Sequence, residues 1–328
     1  MKPRFTFIVL IAVLAVILAA CAPTPPVEPA ASPQAVDAAT AQPIEPTSAP
    51  TEPLVLTDAL GREVTLAQPA QKIVSTAPSN TEILFAVGAG DQVIARDDFT
   101  NFPEEAVNLP SIGGMSGFNL EAITAQQPDL VLMAEINTPE DVKALEELGI
   151  TVFMLPNPTD LEGLYTNLIN VGKMTNHETE AAALVEDLKI RVDAVTQVMA
   201  NVETRPTVFY ELDGSDPAKP WTSGTGTFID LLIGMAGGQN AVSIDSPWVQ
   251  LSLEELIVTD PDFILLGDST WGGVTPEMVA ERAGWDALSA VENEKVLPFN
   301  DDLVGRPGPR LVEGLEELAR ILHPELMK

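Results

Sequence analysis

The chain has 328 residues, with 17 lysines and arginines against 48 aspartates and glutamates, for a formal net charge of −31. That balance repels nucleic acid and gives an anionic membrane surface nothing to attract, so both are excluded as partners of the folded part. The single cysteine, Cys21, allows no internal disulfide, and two histidines are too few for a clustered metal site.

In chain order, Lys2 and Arg4 precede an apolar run from Phe5 to Leu18, the basic and hydrophobic regions of a secretory signal. The run is shorter than the roughly 20 apolar residues a membrane span needs. It closes on Leu18-Ala19-Ala20-Cys21, which resembles a bacterial lipobox. The resemblance implies that residues 1–20 are removed and that Cys21 carries lipid, holding an extracytoplasmic protein on the outer face of a membrane. Whether the host has one membrane or two stays open. Residues 21–53 hold the lipidated cysteine and a Pro, Ala, Thr, Ser and Glu tether with too little apolar surface to order itself.

From Leu54 onward the pattern predicts α/β architecture: two Rossmann-like lobes, each with a parallel central sheet, joined by one long helix, with a ligand cleft between them. The N-terminal lobe spans 54–175, with strands at about 72–76, 92–95, 130–133 and 151–155. The linking helix falls within 176–202, where Ala183, Leu184, Leu188, Val192, Val195, Val198 and Met199 recur near helical spacing without glycine or proline. The C-terminal lobe spans 203–328, with strands at about 207–212, 263–266 and 296–299. A single stiff helix between lobes predicts a clamp with little hinge motion.

An internal repeat supports the two-lobe reading. The segment 118–132 aligns without gaps on 251–265, and Leu120/Leu253, Glu121/Glu254, Pro128/Pro261, Asp129/Asp262 and Leu132/Leu265 are identical. Each copy reads as polar N-cap, helix, proline stop and buried strand, with a capping box expected between Ser252 and Glu255. Ser79-x-x-Glu82 opens a helix in the first half, as Thr227-x-x-Asp230 does in the second.

In this order, Lys72-Ile-Val-Ser-Thr-Ala-Pro-Ser-Asn-Thr-Glu82, Gly88-Ala-Gly90, Asn119-Leu-Glu-Ala-Ile123, Pro128-Asp-Leu-Val131, Trp221-Thr-Ser-Gly224 and Arg306-Pro-Gly-Pro-Arg310 are specific. They resemble the helical-backbone (class III) substrate-binding lipoproteins of ABC importers for cobalamin, haem and ferric siderophores, most nearly the cobalamin-binding branch. The resemblance covers nearly all of residues 54–324. It implies capture of a bulky metal chelate and delivery to a permease driven by a separate ATPase. A corrinoid is first choice, a ferric siderophore second and haem third. The chain reads as a monomer with no cofactor of its own, although its ligand would contain cobalt or iron.

The resemblance assigns permease docking to Glu121 and Glu254, one on each lobe. A first-turn carboxylate also gains from the helix dipole wherever it occurs. Trp221 resembles an aromatic that packs on the ligand. Phe99, Phe102, Trp248 and Trp271 are further apolar candidates. Tyr210 could line the cleft or close the core, and a tyrosinate there is the one route to haem ligation. Arg306 could meet anionic ligand groups, while Arg310 braces the helix that follows.

The chain has no nucleophile elbow, no base in a plausible constellation and no zinc helix, so it reads as no enzyme. Ser223-Gly-Thr-Gly-Thr227 lacks the lysine of a phosphate loop. A ligand-sensing receptor and an extracellular hydrolase are the alternatives.

Overall fold

The computed structural model describes residues 52–114 and 117–327. The expected signal segment, Cys21 and nearly all of the expected tether lie outside the described residues. The first lobe begins with a hairpin that is not among the expected strands, β1 (Leu54–Thr57) and β2 (Glu63–Leu66), turned at Gly61 with φ of +74°. There follow β3 (Ile73–Ser75), α1 (Pro78–Ala86), β4 (Val93–Ala95), α2 (Glu104–Val107) and a short ribbon of β5 (Gly113–Gly114) and β6 (Gly117–Phe118). Then come α3 (Leu120–Gln126), β7 (Leu130–Ala134), α4 (Pro139–Glu147), β8 (Val152–Leu155) and α5 (Leu161–Thr175). The sheet is all-parallel in the order β4-β3-β7-β8, with its four strands where the sequence predicts them.

The linking helix is α6 (Glu178–Met199). Beyond it lie β9 (Thr207–Asp213), β10 (Trp221–Ser223), α7 (Phe228–Met235), β11 (Gln239–Asn240), β12 (Trp248–Gln250), α8 (Leu253–Thr259) and β13 (Phe263–Leu266). The chain continues through α9 (Ser269–Gly272), α10 (Pro276–Ala280), α11 (Ser289–Glu292) and β14 (Val296–Pro298) to α12 (Leu311–Leu322). The expectation of a wholly parallel second sheet is corrected. Its order is β12-β10-β9-β13-β14 with β11 beside β9, and β10 and β12 run antiparallel to their neighbours. The connection at 214–220 is too short for a crossover, so the chain returns beside β9 as a hairpin.

The repeat has a physical basis. Asn119 and Ser252 cap α3 and α8 by accepting the N–H of Ala122 and Glu255, and Glu255 completes the expected box. Both helices end on a left-handed residue, Gln127 (φ 51°) and Asp260 (φ 43°), just before the proline. The carboxylate after each proline ties down a strand entrance. Asp129 accepts the N–H groups of Gln71 and Lys72 at 2.8 and 3.0 Å, and Asp262 accepts that of Thr207 at 2.8 Å. The earlier pair is only half alike. Thr227 caps α7 through Asp230, whereas α1 starts at Pro78 on Ala77, with no side-chain cap from Ser79.

Ala181, Leu188, Val192, Val195 and Met199 form the buried stripe of α6, which packs on α5, α7 and α12. One continuous apolar cluster runs from Ile73, Leu130 and Phe153 through Leu188 and Val192 to Val208 and Leu265. Opening the lobes about α6 would shear this shared core, which supports restricted hinge motion. The outer face of each sheet has its own smaller cluster.

Candidate functional site

In the first lobe, parallel pairing sends the C-terminal ends of β3, β4, β7 and β8 to one edge. In the second, β9, β13 and β14 do the same. The loops leaving these edges are where ligands bind in such sheets. Contacts between the loop after β4 and the loop after β14 show that the two edges meet across the lobes.

Those contacts form a latch. Glu82, buried at 2 % exposure on α1, accepts from Arg310 Nε at 2.9 Å and Nη2 at 2.5 Å, and from Arg306 Nη1 at 3.2 Å. Arg306 also donates to Asn101 Oδ1 at 2.6 Å and pairs with Asp302 at 2.8 Å, and Asn101 donates to Asp302 at 2.9 Å. The Arg310 guanidinium lies over the Phe102 ring, 4.2 Å from its centre. Burial opposes the charge of Arg310, but the Glu82 carboxylate outweighs it and holds the guanidinium above its ordinary pKa. Two sequence expectations are thereby corrected. Arg306 spends its donors on Glu82 and Asn101 of the other lobe and Asp302 of its own instead of facing a ligand anion, and Arg310 braces the lobe interface more than its own helix. Glu82 was missed as a site residue, although a glutamate inside the apolar run of α1 was the available signal.

Tyr210 is also corrected, from cleft wall to core. It is 1 % exposed, its ring meets Phe299 edge-on at 6.0 Å, and its hydroxyl donates to Asp301 at 2.8 Å. Burial, then the Asp301 charge, pushes the phenol pKa well above 10, so tyrosinate ligation at this position is unfavourable.

The remaining aromatic candidates are open to solvent. Phe99 and Phe102 lie on the loop after β4, Trp221 on β10, Trp248 on β12 and Trp271 on α9, each at least 41 % exposed. Trp221 pairs with Gln250 and Ser223 with Trp248, and alternation therefore puts both indoles on one face of the β10–β12 ribbon. A bulge between Trp221 and Thr222 relative to β9 re-aims Trp221 at the sheet's end. These two tryptophans sit on strands.

A second buried group underpins this ribbon. Glu211, on β9, holds Arg282 through two contacts of 2.6 and 2.9 Å, and Arg282 stacks 4.5 Å from the centre of the Trp285 ring. Trp285 donates to the Pro217 carbonyl at 3.0 Å and Asp268 accepts the Gly214 N–H at 2.9 Å, so the 214–220 loop leading to Trp221 is held at its start and at its middle. Burial pushes Glu211 from 4.5 up to about 7 against the pull of Arg282. Its stability contribution is therefore fully present below about pH 4.5 and is lost as pH rises through about 7. Glu211→Gln is expected to remove about 3 kcal/mol of that dependence, read from melting curves of both proteins across pH 4.5 to 8.

Glu121 and Glu254 are exposed in the first turns of α3 and α8, with no ion-pair partner among the described residues. Among those residues, no group of three His, Cys, Asp or Glu could hold a metal ion, and no helix is long and apolar enough to cross a membrane.

Residues 73–303 match the family model described as periplasmic binding protein. An uncharacterized ABC transporter substrate-binding lipoprotein of Bacillus subtilis is 32 % identical over 281 residues, covering 84 % of this chain and 87 % of its own length. A cobalamin-binding protein of Halobacterium salinarum is 30 % identical over 334 residues, covering 98 % and 85 %. Among solved structures, a possible iron-binding (periplasmic solute-binding) protein from Staphylococcus epidermidis superposes with a TM-score of 0.68 at 26 % identity, covering 78 % of this chain and 100 % of that one. With two α/β lobes on a helical backbone and these relatives, the chain belongs to the periplasmic binding protein family and is a substrate-binding protein of the ABC-transporter class.

Proposed function

We propose that the protein captures a bulky metal-chelate ligand, cobalamin or a related corrinoid before any other, in the crevice between its lobes and delivers it to an ABC permease. The observation that carries this reading is the shared face of Trp221 and Trp248, exposed on a ribbon whose approach loop is held at its start and at its middle. Indoles left in water on a rigid platform are suited to a large flat apolar face. The cobalamin-binding name of the Halobacterium relative supports the corrinoid, and the possible iron-binding description of the Staphylococcus structure supports a ferric chelate as second reading. Glu121 and Glu254 would meet basic residues of the permease, and lipid on Cys21 would keep the protein near it.

A thermal-shift panel of cobalamin, cobinamide, haemin and ferric hydroxamates tests the ligand class, because binding to the folded state raises the melting temperature. Selective shifts with corrinoids or ferric chelates are expected; no shift with any of them overturns the class. Trp221→Ala is expected to weaken binding by about 2 kcal/mol, roughly 30-fold, as for a central aromatic anchor. Since Trp221 is 41 % exposed, the melting temperature without ligand should scarcely change.

A further inference from the structure

The charge of the crevice narrows the ligand further, given the metal-chelate reading above. Five described cations lie on the elements and loops of the crevice side: Arg96, Lys219, Arg282, Arg306 and Arg310. Four are already engaged. Arg96 donates to the carbonyls of Asp97 and Val107 at 2.7 and 2.9 Å, Arg282 serves Glu211, and Arg306 and Arg310 serve Glu82 and Asp302. The latch is thus balanced, two acids against two arginines. Only Lys219, exposed on the loop before β10, has no carboxylate partner among the described residues.

Against that lysine stand carboxylates with no cation partner. Asp213 pairs in register with Trp221, Asp216 lies on the same loop as Lys219, and Glu135 is exposed just after β7. A ligand entering here meets net negative charge, and Arg282, Arg306 and Arg310 cannot turn to it without abandoning Glu211 or Glu82.

We infer that the crevice selects chelates whose outer groups are neutral or cationic, amides or hydroxamates around the metal, and rejects chelates that present free carboxylates or other net negative charge. Recognition of a neutral chelate then rests on aromatic faces and uncharged hydrogen bonds, and its binding is nearly insensitive to ionic strength.

Calorimetric titration of the folded protein with charge-graded probes tests this. Cyanocobalamin is neutral and ferrioxamine B cationic, while haemin carries two carboxylates and ferric enterobactin is a polyanion. At least one of the first two is expected to bind about 100-fold more tightly than either of the last two, the scale on which like-charge juxtaposition discriminates. Asp213→Asn is expected to narrow that gap severalfold by strengthening haemin and leaving the neutral probe unchanged. Haemin or ferric enterobactin binding as tightly as the better of the first two overturns the inference and leaves the metal-chelate reading standing. Failure of all four to bind overturns that reading itself and the inference with it.

Discussion

Reversing charge at both Glu121 and Glu254 to lysine is expected to abolish ligand uptake by cells while leaving the dissociation constant of the purified protein unchanged. Both carboxylates are exposed on the first turns of repeat-related helices, and neither serves an internal ion pair among the described residues. Their loss costs the fold no more than the dipole interaction of about 0.3–1 kcal/mol each. In a docked complex each lysine would oppose a basic residue of the permease, and like charges at an interface cost several kcal/mol. Each single variant should give intermediate uptake, because a two-fold partner engages the lobes in equivalent ways. Lost affinity in the purified double variant would place these residues in ligand binding and sink the docking assignment.

Arg310→Ala is expected to destabilise the protein by about 3–5 kcal/mol in denaturant unfolding, the cost of stranding a buried carboxylate. Glu82 is 2 % exposed and would keep only the 3.2 Å contact with Arg306, which Asn101 and Asp302 also claim. The ring of Phe102 would lose its guanidinium cover as well. The double variant Glu82→Gln with Arg310→Met should recover most of that loss, since it removes both charges from the interface. Equal destabilisation of the single and double variants would show that packing, and not the ion pair, holds the lobes together there.

Much of the architecture was legible because hydrophobic pattern is local. The strand at 130–134 is buried along most of its length and reads as a continuous apolar run, and the stripe from Leu188 to Met199 announces α6. The repeat disclosed the two lobes, although the role of Asp129 and Asp262 as anchors of strand entrances needed coordinates. Antiparallel β10 and β12 were missed because three-residue strands with no alternating run carry little signal. Legibility failed most at the charges. Glu82 lies more than 200 residues from Arg306 and Arg310 in sequence, so nothing local could show that the arginines were already spent. Tyr210 ends up in the core for the same reason, its partner Asp301 lying 91 residues away. Exposure of Trp221, Trp248 and Phe99 likewise depends on what fails to cover them, a tertiary property.

The central claim is that a metal chelate is held against Trp221 and Trp248. Tryptophan fluorescence titration with cyanocobalamin and with a ferric hydroxamate tests it directly, since three of the four indoles are exposed and Trp285 is fully buried. Saturable quenching at one ligand per chain is predicted with at least one of the two, largely lost in the Trp221→Phe/Trp248→Phe double variant. Absence of saturable quenching with both ligands, or undiminished quenching in the double variant, would contradict the account.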